Sequence, residues 1–415
     1  MAQNKFDIYV YAHWQPMVEP EVIGILSAHF GKGKKAFSFA YDKKWLRSKN
    51  RMLIDPDIQF FSGPQYPNNK ENFGIFLDSM PDTWGKTLMR RRTAQDAKEK
   101  QENPRTLYEI DFLLGVYDES RMGAFRFKTD PNGPFLDDDE HSPTPPWSSI
   151  KELQAAADAF ESGNNNEIKK WLAILMAPGS SLGGARPKAN IIDDDKNLWI
   201  AKFPSKNDAI DKAAWEYLVY QLAIDAGISM SPSKIEKISG KYHTFFTKRF
   251  DRDKGERIHF ASAMTMTGNT EEIIRDRPAS YLEIAEFIQN YGTDIDVNLA
   301  QLWRRIVLNI AISNTDDHLR NHGFLLTEKG WILSPAYDIN PSIDKDGLAL
   351  NIDMDNNALD FDLAKSVGEY FRLDKGQMKG IYDEVLNAVS NWTNVAIKIG
   401  ISTKEIELME SAFKF

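Results

Sequence analysis

Residues 315–322 read Thr-Asp-Asp-His-Leu-Arg-Asn-His and place two carboxylates, two imidazoles and an amide in one short loop. The loop follows at once on an apolar run, WRRIVLNIAI, at 303–312. Asp316 and Asn321 stand in an Asp-x-x-x-x-Asn spacing. With that spacing an aspartate accepts the proton of an attacking hydroxyl while the asparagine holds a magnesium ion. Taken alone, the pair also fits a helix-capping aspartate and a turn asparagine.

Further groups of the same chemistry lie in a telling order. Asp338 follows Asn321 by seventeen residues, across a run GFLLTEKGWILSP that reads as a hairpin. Magnesium takes carboxylate and amide oxygens and completes its shell with phosphate oxygens. Upstream, GSSLGGARPK sets three glycines among small residues, with Arg186 and Lys188 beside them. Such a loop brings backbone N–H groups against phosphates. It matches neither standard glycine-rich phosphate motif, and an ordinary flexible loop fits it as well. Lys202 in LWIAKF shares a strand face with Ile200 and Leu198,. A lysine there is costly unless paired, and Glu216 in the next helix is the candidate partner. Glycine loop, strand lysine, helix glutamate, catalytic aspartate, metal asparagine and metal aspartate follow in the order of a phosphoryl-transfer centre.

The elements that must position these groups are legible from periodicity. FDIYVYA, EVIGILSA and KKAFSFAYD suggest a small N-terminal sheet,. NFGIFLDSMPDTWGKTLMRRRTAQDAKEK reads as one helical segment. The proline-rich acidic stretch 129–147 reads as a linker,. Two helices follow, then an ANII/LWIAKF hairpin, a helix DKAAWEYLVYQLAIDAGI stopped by Gly227, and a hairpin around Ser239-Gly240,. From about residue 253 the pattern is mostly helical. The expected division is 1–128, a linker 129–147, a strand-rich part 148–252 and a helical part 253–415.

Composition bounds the function classes. With no cysteine among 415 residues, disulfides, thiolate catalysis and cysteine zinc sites are excluded,. The start lacks a signal-peptide pattern and no apolar run reaches membrane-spanning length, so a cytoplasmic setting is expected. A net charge of −9 disfavours general nucleic-acid binding,. The Arg90-Arg91-Arg92 cluster reads as a solvated helix face,. A metallohydrolase would want a glutamate between His318 and His322 in the His-Glu-x-x-His pattern, and there is none,.

SSLGGARPKA, WIAKFPS, TKRFDR, NTDDHLRNHGFLL and LSPAYDI together resemble the HipA family of bacterial type II toxin Ser/Thr kinases. VIGILSAHFGKGKKAFSFAYDKKWL and FGIFLDSMPDTWGKTLM resemble that family's N-terminal subdomain, so the likeness spans nearly the whole chain. It implies an α+β, two-lobed protein-kinase-like (phosphoinositide-kinase-like) fold with an extra N-terminal β-rich subdomain. Asp316 would be the catalytic base, with His318 beside it orienting the loop by hydrogen bonding. Asn321 and Asp338 would bind Mg2+. Ser181, Leu182, Gly183, Gly184, Lys188, Lys202 and Glu216 would form the phosphate side of an ATP site. Lys248, Arg249, Phe250 and Tyr337 would lie toward adenine. Ser181, or Ser180 beside it, would be autophosphorylated and so switch the kinase off. The implied partners are a helix-turn-helix HipB-like antitoxin, operator DNA contacted mainly through it, and a protein substrate such as an aminoacyl-tRNA synthetase. The departures from ordinary protein kinases are Asn-Thr-Asp for His-Arg-Asp and Asp338-Ile339-Asn340 for Asp-Phe-Gly,. Asp-x-His-x-x-Asn is also a phosphoinositide-kinase form, which leaves a lipid or small-molecule kinase as an alternative. A catalytically silent co-repressor is the non-enzymatic one.

Overall fold

The computed structural model describes residues 5–31, 34–138, 144–163, 168–176 and 186–414. Two compact units emerge, Met1–Lys206 with Asp251–Ala261, and Asn207–Phe250 with Ser262–Phe415. The first holds β1 (Lys5–Ala12), β2 (Glu21–Gly31), β3 (Lys34–Tyr41), α1 (Gly74–Leu77), α2 (Thr83–Glu99), α3 (Glu109–Leu114), β4 (Phe125–Lys128), α4 (Ile150–Glu161), α5 (Ile168–Met176), β5 (Lys188–Ile192) and β6 (Leu198–Lys202). The second opens with α6 (Lys212–Asp225), β7 (Ser233–Glu236) and β8 (Thr244–Lys248). The ribbon β9 (Arg252–Asp253) and β10 (Glu256–Arg257) returns to the first, and β11 (Phe260–Ser262) carries the chain across the boundary. The second unit is completed by α7 (Ala263–Met266), α8 (Glu271–Asp276), α9 (Tyr281–Tyr291), α10 (Ile295–Ala311), β12 (Gly323–Thr327), β13 (Gly330–Leu333), α11 (Phe361–Ser366), α12 (Lys375–Ser390), α13 (Trp392–Ile399) and α14 (Thr403–Met409).

In the first unit β3-β2-β1-β4 form an antiparallel sheet. Alternation fixes its buried face: Ile8, Val10 and Ala12 on β1 and Phe125 and Phe127 on β4 all lie inside,. Phe39, Phe73, Phe76, Phe125 and Phe127 pack edge-on or tilted around them. Gly24 is required on β2, where a Cβ would meet the Ala40 carbonyl oxygen at 2.3 Å.

One expectation changes here. The segment 72–100 is not one helix, because Pro81 interrupts it; α1 ends at Leu77 and α2 restarts with Asp82 capping the Gly85 N–H at 2.7 Å,. Of the stretch 129–147, the described residues 129–138 and 144–147 belong to the first unit. The described part of the stretch is fastened by buried Arg121, whose guanidinium donates to the carbonyls of Ser79, Leu113, Val116 and Leu136. Four carbonyls on one planar fork satisfy a charge that burial would otherwise make costly.

In the second unit α10 is the central helix, burying Leu299, Leu302, Trp303, Ile306, Val307 and Ile310. Trp215 of α6, Trp392 and Phe413 form an aromatic cluster, with the Trp392 and Phe413 rings stacked at 4.1 Å. α13 follows α12 directly at Asn391, and α14 closes the helical part. No described helix is long and apolar enough to cross a membrane.

Candidate active site

The polar loop begins where α10 ends in a Schellman turn. Ser313 takes the left-handed conformation, φ 51°. Its N–H bonds the Ile310 carbonyl at 3.2 Å, and the Asn314 N–H bonds the Asn309 carbonyl at 2.8 Å,. This pair of bonds satisfies two helix-end carbonyls and turns the chain sharply into the loop.

The two adjacent aspartates then separate. Asp316 is exposed and Asp317 is buried. Asp316 is no helix cap; the short helical turn Leu319–Asn321 starts after His318. Asn321 is buried, and its Nδ2 donates to the Asp316 carbonyl oxygen at 3.0 Å. That bond orients the amide and leaves Oδ1 as its acceptor atom. The loop thus presents one solvent-accessible carboxylate and one fixed amide oxygen.

Asp317 Oδ2 accepts from Tyr281 Oη at 2.5 Å, Asn309 Nδ2 at 2.7 Å and His322 Nε2 at 2.8 Å. Burial raises the Asp317 carboxyl, but the His322 charge and hydrogen bond, with the Tyr281 bond, outweigh it and hold the carboxyl below the usual range,. Burial and then the Asp317 charge push the Tyr281 phenol well up. Burial lowers the Arg305 guanidinium to about 10, with Asp317 and Tyr337 opposing. His318, expected to orient the loop by hydrogen bonding, is half-buried in it. Its Nδ1 is buried without a partner among the described residues, and His322 makes the bond to the carboxylate instead. Tyr281 and Asn309 did not enter the sequence reading of the site, and Asp317 and His322 entered it only as members of the loop, without a role. The available signal was Asn309, a polar residue within the apolar run Ile306–Ile312 that leads into the loop.

From the loop, β12 and β13 form the expected hairpin, paired from Phe324–Leu333 to Thr327–Gly330. Arg305 donates to the Ser334 carbonyl, and the Ala336 N–H bonds the Ser229 carbonyl at 2.8 Å, so the segment leading to Asp338 is anchored. Asp338 itself has φ 57°, a left-handed conformation that costs a non-glycine residue energy and is tolerated best by Asp and Asn,. The structure also brings Tyr337 and Phe250 together, ring centroids 5.5 Å apart, with Tyr337 Oη donating to the Arg320 carbonyl at 2.8 Å. Arg249 is buried, and the Lys248 N–H bonds the Pro232 carbonyl at 2.9 Å.

In the first unit, the β5–β6 hairpin forms as expected, with register Lys188–Lys202 to Ile192–Leu198. Leu198 and Ile200 are buried and Lys202 at the strand end is half-buried. In the second unit Glu216 is buried in α6. Lys188, expected at the phosphates, is placed against Asp82. Its ammonium lies 2.5 Å from Asp82, with both side chains about 95% buried, and its carbonyl accepts from Trp84 Nε1 at 3.1 Å. Lys188 therefore joins β5 to the start of α2. Arg186 Nε donates to the Phe203 carbonyl at 2.9 Å. Ser180, Ser181, Leu182, Gly183 and Gly184 lie outside the described residues.

Comparison with known proteins agrees with this architecture. A Haemophilus influenzae protein described as a putative kinase is 27% identical over 179 residues, 39% of this chain and 52% of that one. The chain therefore spans about half the length of that curated relative. The HipA of a Shewanella oneidensis MR-1 toxin–antitoxin system, solved with HipB and its operator DNA, superposes with a TM-score of 0.67. The match covers 98% of this chain and 94% of that one at 17% identity, a likeness of fold. The Helicobacter pylori proinflammatory kinase CtkA matches 53% of this chain and 94% of its own at a TM-score of 0.34 and 14% identity, too slight to build on. Residues 180–393 match the HipA-like C-terminal domain. That match takes in more than half of the 415 residues, and the chain belongs to the HipA family, with its mixed α and β, kinase-like fold.

Proposed function

We propose that this chain is a magnesium- and ATP-dependent serine/threonine protein kinase, the toxin of a HipA/HipB-like pair, working in the cytoplasm. The observation that carries the reading is the Asp316–Asn321 arrangement: an exposed carboxylate whose own carbonyl orients the amide of the asparagine. Asp316 would take the proton of a substrate hydroxyl as that oxygen bonds the terminal phosphorus and the bond to ADP breaks. The donor set of one amide oxygen and one carboxylate, Asn321 and Asp338, fits magnesium, which leaves room for phosphate oxygens and water. Bound there, magnesium would neutralise charge on the transferring phosphate. Lys202 would contact the phosphates, with Glu216 as its pairing glutamate, and Phe250 and Tyr337 would form an aromatic wall for adenine. Ser181, or Ser180, would be the site of self-inactivation. A helix-turn-helix antitoxin would be the partner, making most of the contacts to operator DNA, and the substrate would be a protein.

The test is intact mass after incubation with magnesium-ATP, beside Asp316→Asn. The wild type should gain one phosphate, mapping to Ser181 or Ser180, and the variant none. Loss of a general base lowers transfer roughly 10²- to 10⁴-fold. Equal gain in both would remove Asp316 from its role. No gain in either, from an unphosphorylated starting mass, would support the co-repressor reading.

A further inference from the structure

We propose that Asp317 is a positioning residue that holds the Asp316–Asn321 loop in its working geometry. The catalytic consequence rests on the kinase reading above; the anchoring does not.

The loop carries two cross-links of the same span. Asn321 Nδ2 reaches back to the Asp316 carbonyl at 3.0 Å, and His322 Nε2 reaches back to the Asp317 carboxylate at 2.8 Å. Both close i to i+5, so adjacent residues at one end of the loop are tied to adjacent residues at the other. The first link holds the metal-side amide against the backbone of the base. It is one neutral hydrogen bond at a half-exposed edge, and on its own is a weak constraint. The second link is charge-assisted and buried, the stronger kind. It is also fastened outside the loop. Tyr281 on α9 and Asn309 on α10 donate to the same carboxylate oxygen at 2.5 and 2.7 Å. Asn309 is held in turn, its Oδ1 accepting from Asn314 Nδ2 at 3.0 Å. The His322 carbonyl accepts from the Ala263 N–H at 2.9 Å, fixing the far end of the loop to α7.

One carboxylate therefore gathers two helices and both ends of the loop. A carboxamide of the same shape cannot replace it. Three donors converge on Oδ2, and an amide offers one oxygen without the charge. The sequence Asp-Asp divides the work: the outward residue meets the substrate, and the inward residue sets where the outward one points. A misplacement of about 1 Å at a reacting group can cost on the order of 10²-fold in rate.

The test uses the full chain as wild type, Asp317→Asn, the milder Tyr281→Phe, and Ile381→Ala as a stability control in α12. Steady-state kinetics and hydrogen exchange of the peptide spanning 312–326 are measured on each. Asp317→Asn should lower kcat about 10- to 100-fold with the KM for ATP within about 3-fold. Its 312–326 amides should lose protection while α12 keeps it, and Tyr281→Phe should fall between it and the wild type. Ile381→Ala should lower the melting temperature and leave kcat and the loop amides as in the wild type. An Asp317→Asn enzyme with kcat within 2-fold of wild type, or a loss of protection spread evenly over the second unit, would overturn the proposal. If the wild type itself transfers no phosphate, the kinase reading fails. The exchange result then decides the anchor alone, and unchanged loop protection in Asp317→Asn refutes it.

Discussion

Replacing Lys188 by methionine should destabilise the first unit without weakening nucleotide binding. The ammonium lies 2.5 Å from the Asp82 carboxylate, and both side chains are about 95% buried. At an effective dielectric of about 20 the gross attraction is roughly 7 kcal/mol, much of it offset by desolvation of two ions. Methionine keeps the length of the side chain but strands the carboxylate in the interior, and breaking a buried pair from one side costs about 3–5 kcal/mol. Asp82 also caps α2, so Asp82→Ala should cost about 1 kcal/mol more. For a unit of roughly 200 residues, 1 kcal/mol moves the melting temperature by about 2–4 °C,. The first transition should therefore fall by roughly 6–20 °C in Lys188→Met. The double variant Asp82→Asn/Lys188→Met should recover part of that, because no buried charge is left unpaired. Differential scanning calorimetry reads the transitions, and isothermal titration reads ATP affinity below them. A tenfold weaker ATP affinity with an unchanged transition would refute the structural role and return Lys188 to the phosphate site.

Trp392→Ala should cost the second unit about 3–5 kcal/mol, because the ring is buried and stacked at 4.1 Å on Phe413,; a change under about 1 kcal/mol in denaturant titration would contradict the packing. Burial pushes His259 down from 6.5 to about 3, so the folded state binds fewer protons, and stability present above pH 6.5 is lost as pH falls. His259 by itself takes about 1.4 kcal/mol per pH unit from the first unit over that range, and His259→Leu should remove that contribution. Burial lifts Asp55 from 3.8 to about 6, which favours the folded state at low pH and opposes His259. Asp55→Asn should accordingly steepen the acid limb between about pH 4 and 6 in pH-dependent melts. Ser313→Gly relieves a left-handed residue at the end of α10 and should stabilise the second unit by about 0.5 kcal/mol after the added chain entropy. A loss beyond about 1 kcal/mol in the same melts would mean that the hydroxyl is needed.

Local chemistry made much of this protein legible in one dimension. Period-two alternation located β1 to β3 and both hairpins of the strand-rich middle, Gly227 marked the stop after α6, and an apolar stripe marked α10. These features depend on neighbours within a few residues, as helix and strand periodicity do. The spacing of Asp316, Asn321 and Asp338 was equally visible, because the loop and hairpin joining them are short and local. Tertiary structure decided what each polar group does. Nothing within the Asp-Asp pair says which carboxylate faces water; that depends on Tyr281 and Asn309, 36 and 8 residues away. Lys188 and Asp82 are 106 residues apart, so a lysine beside a glycine-rich loop became one half of a buried ion pair. The imidazole bond to a carboxylate is made by His322 for the same reason. A residue's type and spacing define the chemistry it is capable of, while burial and distant hydrogen-bond partners select which of those chemistries is expressed.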